Sequence, residues 1–79
     1  MNGMNEFELK IARRATVQAI EYIGSQFEVS RLLDMPMNLI SVWASRGWFP
    51  EEFVGEISSA SRVPIQRLRP DLFRNEEDE

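Results

Sequence analysis

Residues that end or begin helices recur along this chain at short intervals. Gly24, Asp34 and Gly47 can end helices, because glycine and, less readily, aspartate adopt the left-handed backbone conformation. Pro36 and Pro50 fit at the start of helices, where the missing N–H costs no hydrogen bond. The chain is therefore predicted to form short helices joined by tight turns.

The first predicted helix ends at Gly24. Its apolar stripe consists of Val17, Ala19, Ile20 and Ile23. Upstream, residues 1–15 have two interpretations, since Phe7, Leu9 and Ile11 alternate as in a strand, whereas Phe7, Ile11 and Ala15 fit helical spacing. We favour a helical N-terminal extension over residues 1–15.

A second helix is predicted from Ser25, which forms a Ser-x-x-Glu capping box with Glu28, to about Leu33. Its expected buried face is Phe27, Val29, Leu32 and Leu33. After a turn at Asp34, a third helix is predicted over residues 36–46. The residues expected to turn inward here are Met35, Ile40 and Trp43.

A fourth helix is predicted from Pro50 to about Ala60, and a short turn at Pro64. The inner face of the fourth helix is predicted to be Phe53, Val54 and Ile57, and the residues expected to return to the core after it are Leu68, Leu72 and Phe73. The sequence thus predicts a compact all-α domain of four to five helices over residues 16–74. Residues 75–79 are predicted to be a disordered acidic tail, which either only adds solubility or competes electrostatically with phosphates.

Composition narrows the classes of function. The 79 residues suffice for one domain, and the lack of cysteine and histidine removes the usual ligands of metal sites, so no metal or cofactor is expected. Glu51, Glu52 and Glu56 have no nucleophilic or basic partner at a spacing typical of a catalytic site, so an enzyme is not expected. No apolar run is long enough for a bilayer and no signal peptide is visible, which favours a cytoplasmic protein with no membrane contact.

The net charge of −4 comes from the last residues of the sequence. Residues 76–79 carry four of the thirteen acids, so residues 1–75 hold nine acids against nine bases. The predicted domain is therefore neutral, and its charge neither favours nor excludes a nucleic-acid partner.

Residues 16–73 resemble the small Cro-type repressors of phages and the YdaS-type antitoxin or Cro-like proteins of prophages. The matching segments, in order, are "AIEYIGSQ", "VSRLL", "ISVW", "SRGWFPEE" and "RLRPDLF". The resemblance implies a Cro-like helix-turn-helix domain, with Ser30 as the small residue where two helices meet and Asp34 where the family usually has glycine. It also implies a transcriptional regulator of phage or prophage origin that binds a double-stranded DNA operator.

If the chain binds DNA in the way that the family does, the third helix enters the major groove. The side chains expected to face DNA are Pro36, Met37, Asn38, Ser41, Val42 and Ser45, with Arg46 near the backbone. Asparagine can pair with adenine, serine can bond base edges or phosphates, and methionine or valine can pack on a thymine methyl group. These residue types allow readout of an A·T-rich site, although Asn38 would equally fit a solvated position on the helix.

Few residues are available to contact DNA phosphates, because the predicted third helix carries no charged residue before Arg46. The candidate phosphate partners are Lys10, Arg13, Arg14, Arg31 and Arg46, with Arg62, Arg67 and Arg69 expected further away. So few cations predict weak binding by a monomer, which favours a homodimer with half-sites about 34–36 Å apart. The N-terminal segment and Trp48-Phe49 are the candidate dimer surfaces.

An alternative interpretation uses the same helix to bind protein. Met37, Leu39 and Val42 would form an exposed apolar strip, flanked by Trp48 and Phe49. The partner would be a repressor, a toxin or RNA polymerase. The sequence leaves both hypotheses open.

Overall fold

A computed structural model of the protein describes residues 3–73. Its elements are α1 (Glu6–Ile23), α2 (Gln26–Leu33), α3 (Met37–Arg46), α4 (Glu51–Ser61), α5 (Ile65–Leu68) and a final 3-10 turn (Pro70–Phe73). Every regular element within these residues is helical, which confirms the predicted all-α fold of four to five helices. The predicted acidic tail, residues 75–79, lies outside the described residues.

Helix α1 begins at a complete capping box that the sequence analysis missed. Asn5 Oδ1 accepts a hydrogen bond from the Glu8 backbone N–H at 2.8 Å, and Glu8 Oε1 accepts one from the Asn5 N–H at 3.0 Å. The helix then continues without a break to Ile23, and both Ala12 and Ala15 are buried. Residues before Thr16 therefore share one helix and one core with those that follow.

The inward face of α1 differs from the predicted stripe. Val17 is half exposed, whereas Thr16, which the prediction omitted, is fully buried and donates its hydroxyl to the Gly47 carbonyl oxygen at 3.0 Å. Besides Glu8 and Thr16, the buried residues of the helix are the small side chains Ala12, Ala15 and Ala19. They allow the other helices to approach α1 closely.

Helices α2 and α3 are joined by a tight turn. Asp34 adopts the left-handed conformation, with φ 58° and ψ 45°, as predicted. Ser30, expected only as a small residue where the two helices meet, also forms a hydrogen bond. Its hydroxyl donates to the Met35 carbonyl oxygen at 2.6 Å and holds the turn against α2. Pro36 immediately precedes α3 in extended conformation.

The predicted buried face of α2 was partly wrong. Val29 and Leu33, four residues apart, are buried, but Phe27 is 56% exposed and Leu32 is 37% exposed. Successive helix residues are rotated by about 100°, so a two-turn helix that buries Val29 and Leu33 turns Phe27 and Leu32 away from that stripe.

The core is built around Phe49 and Trp43, whose rings meet edge to face at 6.3 Å between centroids. Ile40, Ile57 and Leu68 are fully buried around them. Phe73, expected in the core, is instead 51% exposed at the end of the final turn. Among the described residues, no helix combines the length and the apolarity needed to cross a lipid bilayer.

Candidate nucleic-acid interface

The exposed face of α3 carries a row of uncharged polar residues. Asn38, Ser41 and Ser45 follow one another at helical spacing and are all exposed. Met37 and Val42, 41% and 52% exposed, lie on either side of this row by their positions on the helix. We call these five residues the α3 face.

The apolar strip proposed for protein binding is not continuous. Leu39 is partly buried and packs against the core, so it does not join Met37 to Val42. Phe49, expected to flank the strip and to contribute to a dimer surface, is fully buried. The connection after α3 turns Phe49 inward to meet Trp43, which leaves only Trp48 of the pair partly accessible.

The N-terminus of α2 meets the middle of the α3 face. Gln26, the first residue of α2, accepts a hydrogen bond from the Ser41 hydroxyl through Oε1 at 3.0 Å. Ser25 caps the same helix, its Oγ accepting from the Glu28 N–H at 3.2 Å. The sequence analysis missed Gln26, although the predicted cap at Ser25 already placed it at the start of the helix.

Two arginines lie at the C-terminal end of α3. Arg46 stacks on the Trp48 ring with its guanidinium carbon 3.5 Å from the ring centroid, and its Nε donates to the Trp48 carbonyl oxygen at 3.1 Å. Burial and then the charge of Arg69 lower the pKa of Arg46 from its ordinary value. Arg13 of α1 reaches the same end, because its side chain lies against Gly47, which follows α3.

The other predicted phosphate partners are further apart. Arg31 is exposed on α2, with its guanidinium carbon 6.0 Å from the centroid of the Phe27 ring. Arg14 lines a groove between α1 and α5 together with Lys10 and Arg67. The structure therefore brings Arg13 and Arg46 together at one end of the α3 face, and it separates Arg14 and Arg31 from them.

An acidic residue borders the α3 face. An open groove of about 390 Å³ between α1 and α3 contains Glu21 and Val17 on one side and Ser41 and Ser45 on the other. The prediction did not include Glu21 in the site. A carboxylate here disfavours nearby phosphates but can accept a hydrogen bond from the amino group of cytosine.

Arg69, expected simply to lie far from the site, is a buried structural residue. Its Nη1 donates to the Phe49 carbonyl oxygen at 2.7 Å, and its Nε and Nη2 bond both oxygens of Asp71 at 2.9 Å. Its guanidinium carbon lies 4.9 Å from the Trp48 centroid, so Trp48 contacts two arginines. Arg69 fixes the segment after α5 onto the end of α3.

The α3 face offers hydrogen-bonding and apolar groups without a nucleophile–base pair. Within residues 3–73, no three acidic side chains come together as a metal site would require. Comparisons with protein-family models, with curated proteins and with solved structures give no significant match for this chain.

Proposed function

We propose that this chain is a sequence-specific DNA-binding transcriptional regulator of phage or prophage origin, which acts in the cytoplasm as a dimer and reads the major groove with α3. The observation that carries the proposal is the exposed row Asn38, Ser41 and Ser45, held beside the N-terminus of α2 by the Gln26–Ser41 hydrogen bond. The resemblance of the sequence segments to Cro-type repressors supports the same conclusion.

The chemistry of the α3 face suits A·T base pairs. Asn38 can donate to N7 and accept from N6 of adenine, and Met37 and Val42 can pack on thymine methyl groups. The serines can bond base edges or phosphates, and the α3 face lacks the arginine or lysine that would clamp guanine. We therefore expect an A·T-rich operator.

Phosphate contacts in this proposal come from α1, α2 and α3. Arg13 and Arg46 flank the end of α3, Arg31 extends from α2, and the first N–H groups of α2 point out beside Gln26. Three arginines give a monomer modest affinity, because each neutralised phosphate contributes to binding through counterion release. A dimer doubles these contacts and places two α3 helices about 34–36 Å apart.

The test is selection from a randomised duplex library at about 50 mM salt, followed by titration of the selected DNA at rising salt. We expect an A·T-rich consensus and an affinity that falls steeply with salt. Asn38→Ala should cost about 1–3 kcal/mol and relax selection at one position. Ser59→Ala, on the exposed surface of α4, is the matched control and should bind as the unchanged chain does. A lack of salt-sensitive binding at micromolar protein would reject the proposal.

Charge contacts are tested separately from base readout. Arg31→Ala should weaken binding to all sequences alike and reduce the slope of log K against log salt by about 1. Arg62→Gly removes the same charge from the end of α4 and should leave the slope unchanged. Equal effects of the two variants would mean that general charge, and not contact by α2, governs affinity.

A second candidate is a regulator that binds a repressor, a toxin or RNA polymerase through the α3 face. The exposure of Met37 and Val42 on a helix without charge before Arg46 favours it. On this hypothesis Met37→Asp and Val42→Asp each abolish capture of the protein partner, whereas Ser59→Asp does not. We rank it second because the polar row separates the two apolar residues.

A further inference from the structure

A groove lies between α1 and α5, and the proposed DNA contacts do not explain it. It has a volume of about 620 Å³. Its apolar side chains are Phe7, Ile11 and Ala15, and its cations are Lys10, Arg14 and Arg67. We call it the cationic groove.

The three cations of this groove are available to a ligand. Among the residues that the structure describes, no acidic one lines the groove. Within residues 3–73, none of Lys10, Arg14 and Arg67 makes an ion pair or a side-chain hydrogen bond. Phe7 is 71% exposed at one end of the groove. The groove therefore favours an acidic segment of chain.

We propose that the acidic residues 76–79 of this same chain bind in the cationic groove. They bring four carboxylates to three unpaired cations. They follow the turn Pro70–Phe73, which packs against α1, the helix that supplies most of the groove.

The length of the segment exceeds the length of the groove along α1. Residues 74–79 span at most about 20 Å when extended. Along α1 the distance from Phe7 to Arg14 is only about 10 Å, at 1.5 Å per residue. Because the segment is tethered, its effective concentration at the groove is in the millimolar range, so that weak surface ion pairs suffice to hold it.

A second copy of the chain fits the groove less well. In a symmetric pair the same surface faces itself, and Lys10 and Arg14 would approach their own counterparts. Like charges at such a contact oppose association. The acidic segment has the opposite charge and no such conflict.

Binding of residues 76–79 has a consequence for nucleic-acid contact. A bound segment neutralises Lys10 and Arg14, which lie away from the α3 face, so it weakens the general attraction to phosphates more than base readout by the α3 face. This consequence rests on the proposed function, whereas the contact itself does not.

The contact is tested without DNA, so its outcome is independent of the proposed function. The chain has no cysteine, so Glu79→Cys accepts a single nitroxide label, and three of the four tail acids remain. In the ¹⁵N-labelled full chain at about 50 mM salt, we expect the amide signals of Lys10, Arg14 and Arg67 to lose about half of their intensity, and to recover at about 1 M salt, where the screening length is about 3 Å. Broadening confined to residues near the final turn, and equal at both salts, would overturn the proposal.

Two variants of the labelled protein identify the cause. E76Q/E77Q should restore the groove signals at low salt, because the attraction is removed. E51Q/E52Q removes the same charge from α4 and should leave the broadening in place. If E76Q/E77Q has no effect, or if both pairs act alike, the segment does not bind through its charges and the proposal fails.

A mixed sample tests whether the contact lies within one chain. Nitroxide-labelled chain at natural isotope abundance is mixed with unlabelled ¹⁵N chain, and signals from the second are recorded. We expect no broadening of Lys10, Arg14 and Arg67. Broadening of these three signals as strong as in the singly labelled ¹⁵N chain means that the segment of a second copy occupies the groove, which overturns the proposal.

Discussion

The guanidinium carbon of Arg46 lies 3.5 Å from the centroid of the Trp48 ring, and Arg46 Nε donates to the Trp48 carbonyl oxygen at 3.1 Å. The two residues enclose Gly47, whose left-handed conformation, φ 98°, folds the chain back after α3. A Cβ atom at Gly47 would lie 3.2 Å from the Arg13 side chain, which would have to shift slightly. The reversal therefore sets the positions of both arginines at the end of the α3 face.

Replacing the Trp48 ring should release Arg46 and weaken the end of α3. We expect Trp48→Ala to lower the free energy of unfolding by about 1–2 kcal/mol, because stacking with Arg46 and Arg69 is lost. Urea denaturation measures this change, and the affinity for selected DNA should fall with it. Trp48→Phe keeps a ring and should lose less than half as much. Equal stability of all three proteins would show that the stacking is energetically neutral.

Removing the Arg69 guanidinium should be among the most costly single substitutions. Arg69→Met leaves Asp71 and the Phe49 carbonyl oxygen without their donor, and the expected loss of stability is about 3 kcal/mol. Arg67→Met, two residues earlier and exposed, is the matched control and should change stability by about 0.5 kcal/mol or less. Urea titration of both variants provides the comparison, and similar losses in the two would contradict it.

The Arg69–Asp71 ion pair should make stability depend on pH in the acid range. The hydrogen bond from Arg69 lowers the pKa of Asp71 below its ordinary value, although burial opposes this effect. The folded protein therefore holds this proton less tightly than the unfolded chain, so the stabilisation is present above the unfolded pKa, about 3.9, and is lost as the pH falls through the folded pKa.

Asp71→Asn isolates this contribution. We expect the unchanged chain to exceed Asp71→Asn in stability near pH 5 and the difference to shrink steadily toward pH 2, as measured by urea unfolding across that range. A difference that stays constant, or grows as the pH falls, would mean that the carboxylate charge of Asp71 does not stabilise the fold.

Arg62 is a position where glycine should stabilise the protein. It ends α4 with φ 69° and ψ 8°, a left-handed conformation that is unfavourable for residues with a Cβ atom. The conformational free energy that glycine saves here is larger than the free energy lost because glycine makes the unfolded chain more flexible. Arg62→Gly should therefore raise the free energy of unfolding by about 0.5 kcal/mol. Arg67→Gly, within α5, should lose about 1 kcal/mol. Thermal unfolding of the pair checks the opposite signs.

Much of the fold was predictable because helix ends depend on local backbone chemistry. Asp34 and Gly47 end helices α2 and α3 in the left-handed conformation that their residue types tolerate, and Pro36 directly precedes α3. The exposure of Asn38 and Ser41 also followed from helical periodicity, once Ile40 and Trp43 were assigned to the core. These features can be predicted from residues that lie within one or two helical turns of each other in the sequence.

The environment of each side chain depended on packing between distant segments. Phe27 and Phe49 are both aromatic, yet one is exposed and the other buried, because only the second faces the space that Trp43 and Leu68 share. Arg69 is structural because the Phe49 carbonyl oxygen lies within reach of its guanidinium. The sequence by itself determined where α2 and α3 begin and end and which residues α3 presents outward. The tertiary structure decided which apolar residues are buried, how Gln26 meets Ser41 and how Trp48 holds two arginines, since each of these contacts joins groups whose distance depends on how the chain packs.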